Sequence, residues 1–125
     1  MGGLTLDTGA LIAIERADRR MQALLDEAGA IDASIAVPAG VIAQAWRGSA
    51  RQARLARFLA LPTVTAVALD EPEARAAGVL CGRASSDDVV DASVVICARS
   101  RGHAVVTSDP RDLAALDSKL RLVAL

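Results

Sequence analysis

The stretch VVDASVVICARSRGHAVVTSDP, residues 89–110, holds a helix signal, a strand signal and two acids that neither signal requires. Val89 to Ala98 is nearly all apolar, and this part reads as a helix. HAVVT reads as a short strand, and Asp109 followed by Pro110 opens another helix. Asp91 interrupts the apolar run, although a carboxylate competes for backbone hydrogen bonds and loses hydration when buried. Asp88 lies three residues upstream, on the same helical face.

Working outward, the same alternation extends along the chain. GLTL is a strand ending at Asp7, and TGALIAIERA is the helix after it. Asp18 caps RRMQALLDEAG, which Gly29 is expected to stop. DASIAV is a strand, Pro38 turns the chain into the helix AGVIAQAWRG, and ARQARLARFLAL is a basic helix ending near Pro62. TVTAVAL is β-branched and reads as a strand. In LDEPEARAAGVLC, Asp70 and Glu73 stand at capping-box spacing with Pro72 in the first turn. PRDLAAL is a short helix and LRLVAL a last strand. Short strands alternating with helices predict a single α/β domain, a parallel sheet covered on both faces.

Composition narrows the function. The 125 residues are 53% hydrophobic with a net charge of −1, enough for one core and no general basic field. No apolar run reaches the ~18 residues of a membrane span, and MGGLTLDTGA lacks the pattern of a secretory signal. The expectation is a soluble cytoplasmic protein. Cys81 and Cys97 are isolated and predict reduced thiols rather than a zinc or iron–sulfur site. Trp46 and Phe58 are the only aromatics.

In open parallel sheets, ligands bind beyond the carboxyl ends of the strands. Asp7 and Asp109 fall at two such ends. If those strands are neighbours, Asp7, Asp88, Asp91 and Asp109 can converge. Crowded carboxylates repel unless a cation neutralises them, and Mg²⁺ or Mn²⁺ suits an all-oxygen site. Each acid also has a plainer reading. Asp7 and Asp109 can serve as helix caps, and Asp88 can favour a helix dipole. A cap does not explain Asp91, which would otherwise need an exposed edge or a structural hydrogen bond.

LDTGALIAIE, VPAGVIAQAWRG and DDVVDASVVICARSRGHAVVTSDPRDL, in this order across the chain, resemble the PIN domain, and within it the VapC-type toxins of bacterial toxin–antitoxin pairs. The resemblance implies a sheet of about five parallel strands flanked by helices over residues 1–125. It also implies a Mg²⁺- or Mn²⁺-dependent endoribonuclease acting on RNA, a VapB-like antitoxin partner and a homodimer. By the same resemblance, Asp7 and Asp91 are the leading metal ligands. Asp109 becomes a second carboxylate of the site, and Thr107 and Ser108 orient it or a water. The chain departs from the pattern at Gln44, where many PIN domains carry a glutamate. Asp88 can restore that charge; otherwise the domain is a catalytically weakened module that binds RNA or protein.

Arg47, Arg51, Arg54 and Arg57 follow at spacings of four, three and three, which predicts one cationic helix face for RNA phosphates or simply a solvated surface. A receiver-like phosphoacceptor would want a pocket lysine, and Lys119 comes late. An aspartate-nucleophile phosphatase would want a second acid where Gly9 stands.

Overall fold

The computed structural model describes residues 2–125. Five strands form one parallel sheet: β1 (Leu4–Leu6), β2 (Ile35–Pro38), β3 (Val64–Val67), β4 (Ala104–Thr107) and β5 (Leu122–Ala124). Their spatial order is β3-β2-β1-β4-β5. Seven α-helices connect them: α1 (Thr8–Glu15), α2 (Arg19–Ala30), α3 (Ala39–Ala45), α4 (Ala53–Leu59), α5 (Glu71–Ala84), α6 (Val89–Arg101) and α7 (Pro110–Leu116). Among the described residues, no helix is long and apolar enough to cross a membrane.

The chain leaves β1 to build outward through β2 and β3, then crosses back to place β4 on the other side of β1. Thr5 registers with Val105 and Leu6 with Val106. The carboxyl ends of β1 and β4 therefore stand side by side where the strand order reverses, the usual position of a site in an open α/β sheet. The core that fixes this pairing includes Leu6, Leu11, Val37, Val94, Val95, Val105, Val106 and Leu113, all essentially inaccessible. Each such side chain contributes roughly 1.5–3 kcal/mol on burial.

Local signals explain most boundaries. Asp18 caps α2 by accepting from Met21 N–H at 3.0 Å, and Asp70 caps α5 by accepting from Glu73 N–H at 3.0 Å. Gly102, at φ +66°, ends α6 in the left-handed conformation that glycine adopts without penalty. Gly29 does not stop its helix. It lies inside α2, and the reversal comes at Asp32, at φ +52°. The basic segment is also broken. α3 ends at Ala45, a 3₁₀ turn occupies Ala50–Gln52, and α4 begins only at Ala53. Arg47 thus lies in a loop, Arg51 in the 3₁₀ turn, and only Arg54 and Arg57 on an α-helix, so a single helical face does not carry all four.

Candidate active site

Asp7 follows β1 directly and caps α1, its Oδ1 accepting from Ala10 N–H at 2.9 Å. It is 6% exposed. Burial pushes its carboxyl above the ordinary range and Asp109 repels it in the same direction, while hydrogen bonds from Thr107 and Ala10 oppose the rise. Thr107 ends β4 and is fully buried. Its Oγ1 accepts from Asp109 N–H at 2.8 Å, which leaves the hydroxyl proton for Asp7. One buried threonine thus ties the ends of β1 and β4 to each other.

Asp109 stands at the N-cap of α7, yet its side chain makes no capping hydrogen bond. The capping role expected of that carboxylate is therefore absent, and the group is exposed. Asp88 does cap, accepting from Asp91 N–H at 3.0 Å. Asp91 is the third residue of α6, in its first turn rather than mid-helix. It closes no capping box, because Asp88 N–H donates instead to Ser86 Oγ at 3.1 Å. Burial pushes the Asp91 carboxyl up to about 7, helped by repulsion from Asp88 and a hydrogen bond shared with it, then by Asp7 and Asp112.

Asp112 is the member that sequence reasoning missed. It lies in the first turn of α7, and a hydrogen bond with Asp109, together with that group's charge, raises its carboxyl. The signal was present as a repeated spacing. Asp88-x-x-Asp91 and Asp109-x-x-Asp112 each put two carboxylates on the N-terminal turn of a helix, where the macrodipole favours negative charge. Asp88, Asp91 and Asp112, with Ser86, line a cleft of about 200 Å³. A larger groove of about 490 Å³, lined by Val79, Leu80 and Ile96, contains no comparable cluster of acids.

Two further residues close the site. Gln44, exposed on α3, accepts a hydrogen bond from the hydroxyl of Thr8, the residue next to Asp7. Ser108 packs so tightly on Gly9 that a Cβ there would overlap its hydroxyl. This contact sets the first turn of α1 against the end of β4. His103 and the thiols lie apart from the acids. The His103 ring is buried with Nδ1 3.0 Å from Thr5 Oγ1, and burial holds it below its ordinary value. Burial raises the Cys97 thiol and so disfavours its reactive thiolate.

The acids are linked by repulsion: Asp109 acts on Asp7, and Asp88, Asp7 and Asp112 act on Asp91. Among the described residues, no three Asp, Glu, His or Cys side chains are already gathered into a ligand set for a metal ion. The donor chemistry nevertheless suits a hard divalent cation: several carboxylates, with Asp91 pushed up to about 7 by burial and by its acidic neighbours, and Asp7 and Asp112 also raised.

The sequence profile of the PIN domain matches residues 4–119. No curated protein matches significantly. Among solved structures, a toxin–antitoxin complex from Klebsiella pneumoniae superposes with a TM-score of 0.74 at 18% identity, covering 98% of this chain and 97% of that one. VapBC2 from Rickettsia felis, bound to a DNA fragment from their promoter, gives 0.75 at 16% identity with 97% of both chains covered. FitAcB from Neisseria gonorrhoeae gives 0.69 at 20%, with 95% of each covered. At these identities the structural likeness speaks for the fold, and it agrees with the profile match over nearly the whole sequence: this chain belongs to the PIN-domain family.

Proposed function

We propose that the chain, acting as one domain in the cytoplasm, is the toxin of a VapBC-type toxin–antitoxin pair and a divalent-metal-dependent endoribonuclease. Membership of the PIN family supports the nuclease class. The observation that carries the reading is the cluster of mutually repelling acids at the β1/β4 switch point, with Asp91 pushed up to about 7. Asp7 and Asp91 would hold Mg²⁺ or Mn²⁺, with Asp88, Asp109 and Asp112 close enough to assist. When bound, the ion supplies Lewis-acid polarisation of a phosphoryl group. Thr107 and Ala10 N–H fix the Asp7 carboxylate, so its orientation is set before substrate arrives. The Asp109 carboxylate, free of capping duty, is available to orient an attacking water and accept its proton. The partner is a VapB-like antitoxin, a reading supported by the likeness to a toxin–antitoxin complex and to VapBC2, and the toxin works as a homodimer.

A second reading rests on Gln44. Its neutral amide, engaged by Thr8, stands where many PIN domains carry an acid, and this favours a weakened domain that binds RNA or protein without cutting. Incubation of a labelled RNA with increasing Mg²⁺ or Mn²⁺ separates the two. The nuclease cleaves only with metal, stops on chelation, and loses on the order of a hundredfold in rate in Asp7→Asn. A pure binder retards the RNA and leaves it intact at every metal concentration, which overturns the proposal.

A further inference from the structure

The loop after α3 holds the chain's one exposed aromatic. Trp46 is 40% exposed, whereas Phe58, the other aromatic, is buried. Trp46 lies two residues beyond Gln44, whose amide meets Thr8 beside Asp7, at the point where α3 ends and the loop begins.

The loop is built rather than slack, and a buried glutamine organises it. Gln52 is 4% exposed. Its Oε1 accepts from Arg47 N–H at 2.8 Å and Gly48 N–H at 3.0 Å. Its Nε2 donates to Ala45 carbonyl at 2.8 Å and to Glu15 Oε1 at 2.6 Å. Gly48, at φ +72°, takes the left-handed conformation that the turn after Trp46 requires. An aromatic ring held in place at the surface loses little freedom when a planar ligand stacks on it.

The surroundings select the kind of ligand. Among the described residues the ion pairs are Arg75–Glu71 and Arg99–Asp117, so Arg47, Arg51, Arg54 and Arg57 keep their charges unneutralised. The Arg47 guanidinium donates to the Ala43 and Trp46 carbonyls at the end of α3, which ties it to the backbone there. An exposed indole next in sequence to an unpaired guanidinium, in a segment that carries three more, suits bases and phosphates together.

We infer that Trp46 is a stacking platform for an unpaired base of single-stranded RNA, positioned by Gln52, with the neighbouring arginines holding the phosphates on either side. This rests on the nuclease reading and adds the residue that seats the substrate. The ring accepts any base by its face, so Trp46 contributes affinity and register more than sequence choice.

Trp46 is the sole tryptophan and there is no tyrosine, so indole fluorescence reports this residue alone. Asp7→Asn protein is titrated with a short single-stranded RNA labelled for anisotropy, and with an abasic ribose–phosphate strand of equal length. The expected result is saturable quenching by RNA that tracks the anisotropy, and none from the abasic strand. Trp46→Ala weakens RNA binding by roughly tenfold, with Trp46→Phe recovering most of it and the slope of affinity against salt unchanged. RNA binding without any change in Trp46 emission overturns the stacking role and leaves the nuclease reading standing. An indole that responds to protein concentration and not to RNA is covered by another chain, which also overturns it. Absence of both RNA binding and cleavage in the unaltered chain defeats the nuclease reading, and this inference falls with it.

Discussion

Replacing Asp91 by Asn should stabilise the protein and, under the proposed function, abolish metal-dependent cleavage of a test RNA. Its carboxyl lies at about 7 instead of 3.8 because it is partly buried beside Asp88 and Asp7. At 1.36 kcal/mol for each tenfold change in acidity, that displacement corresponds to about 4 kcal/mol. Asp91 is partly solvated, and screening reduces the stability at stake to about 1–2 kcal/mol. The carboxylate also gains about 0.5 kcal/mol from the N-terminus of α6, a benefit that asparagine forfeits. The net gain expected is about 1 kcal/mol at alkaline pH. Its pH dependence follows from linkage: between the unfolded and folded values the folded chain keeps a proton that the unfolded chain has released. The contribution of this group to stability therefore falls as pH rises from about 4 to about 7 and stays low above it. Urea denaturation in chelator, across this window, should give wild type and Asp91→Asn similar stabilities at the acid end, with the variant ahead at the alkaline end. The difference between the two proteins isolates Asp91 from His103, whose depressed value gives the opposite slope. Added Mg²⁺ should then stabilise the wild type and leave the variant nearly unmoved. A variant that is less stable at alkaline pH, or a difference that ignores pH, would refute the idea that Asp91 is held in a cluster of mutually repelling acids.

Gln44→Glu should lower the Mg²⁺ concentration needed for half-maximal cleavage by about tenfold, or about 1.4 kcal/mol, a fraction of the attraction between unit charges at a protein surface; a metal titration of cleavage rate checks it, and an unchanged midpoint would place position 44 outside the ion's reach. Gly9→Ala should cost about 1–3 kcal/mol in denaturant unfolding, because the new methyl overlaps Ser108. Adding Ser108→Gly should recover most of that loss, and two costs that simply add would show that the residues do not meet.

The α/β class was legible because its signals are local. Asp18 and Asp70 cap, and β-branched runs such as VVT extend, each through its own backbone preference. Gly29 misled for the same reason. Glycine weakens a helix by only about 1 kcal/mol, and the packing of Met21 and Ala28 carries α2 through it. The four arginines misled because their spacing fits one helix, while Gly48 and the demands of Gln52 break the segment into a loop, a 3₁₀ turn and α4.

The sequence by itself determined which acids would end up near strand ends, since Asp7 and Asp109 directly follow apolar runs and need no distant partner to do so. Only the tertiary structure decided that β4 returns beside β1 and not beside β3, for that choice is made by long-range burial of Leu6, Val105 and Val106 against the helices. The same pairing brought Thr107 to Asp7 and let Asp112 join the cluster through Asp109. It also decided which polar side chains are buried: nothing in the pattern RQARLARF distinguishes Gln52, which the fold encloses with all its hydrogen bonds made, from the arginines it leaves in water. A carboxylate's proton affinity depends on charges within a few ångströms, and neighbours at that range come from the folded chain rather than from its order of residues.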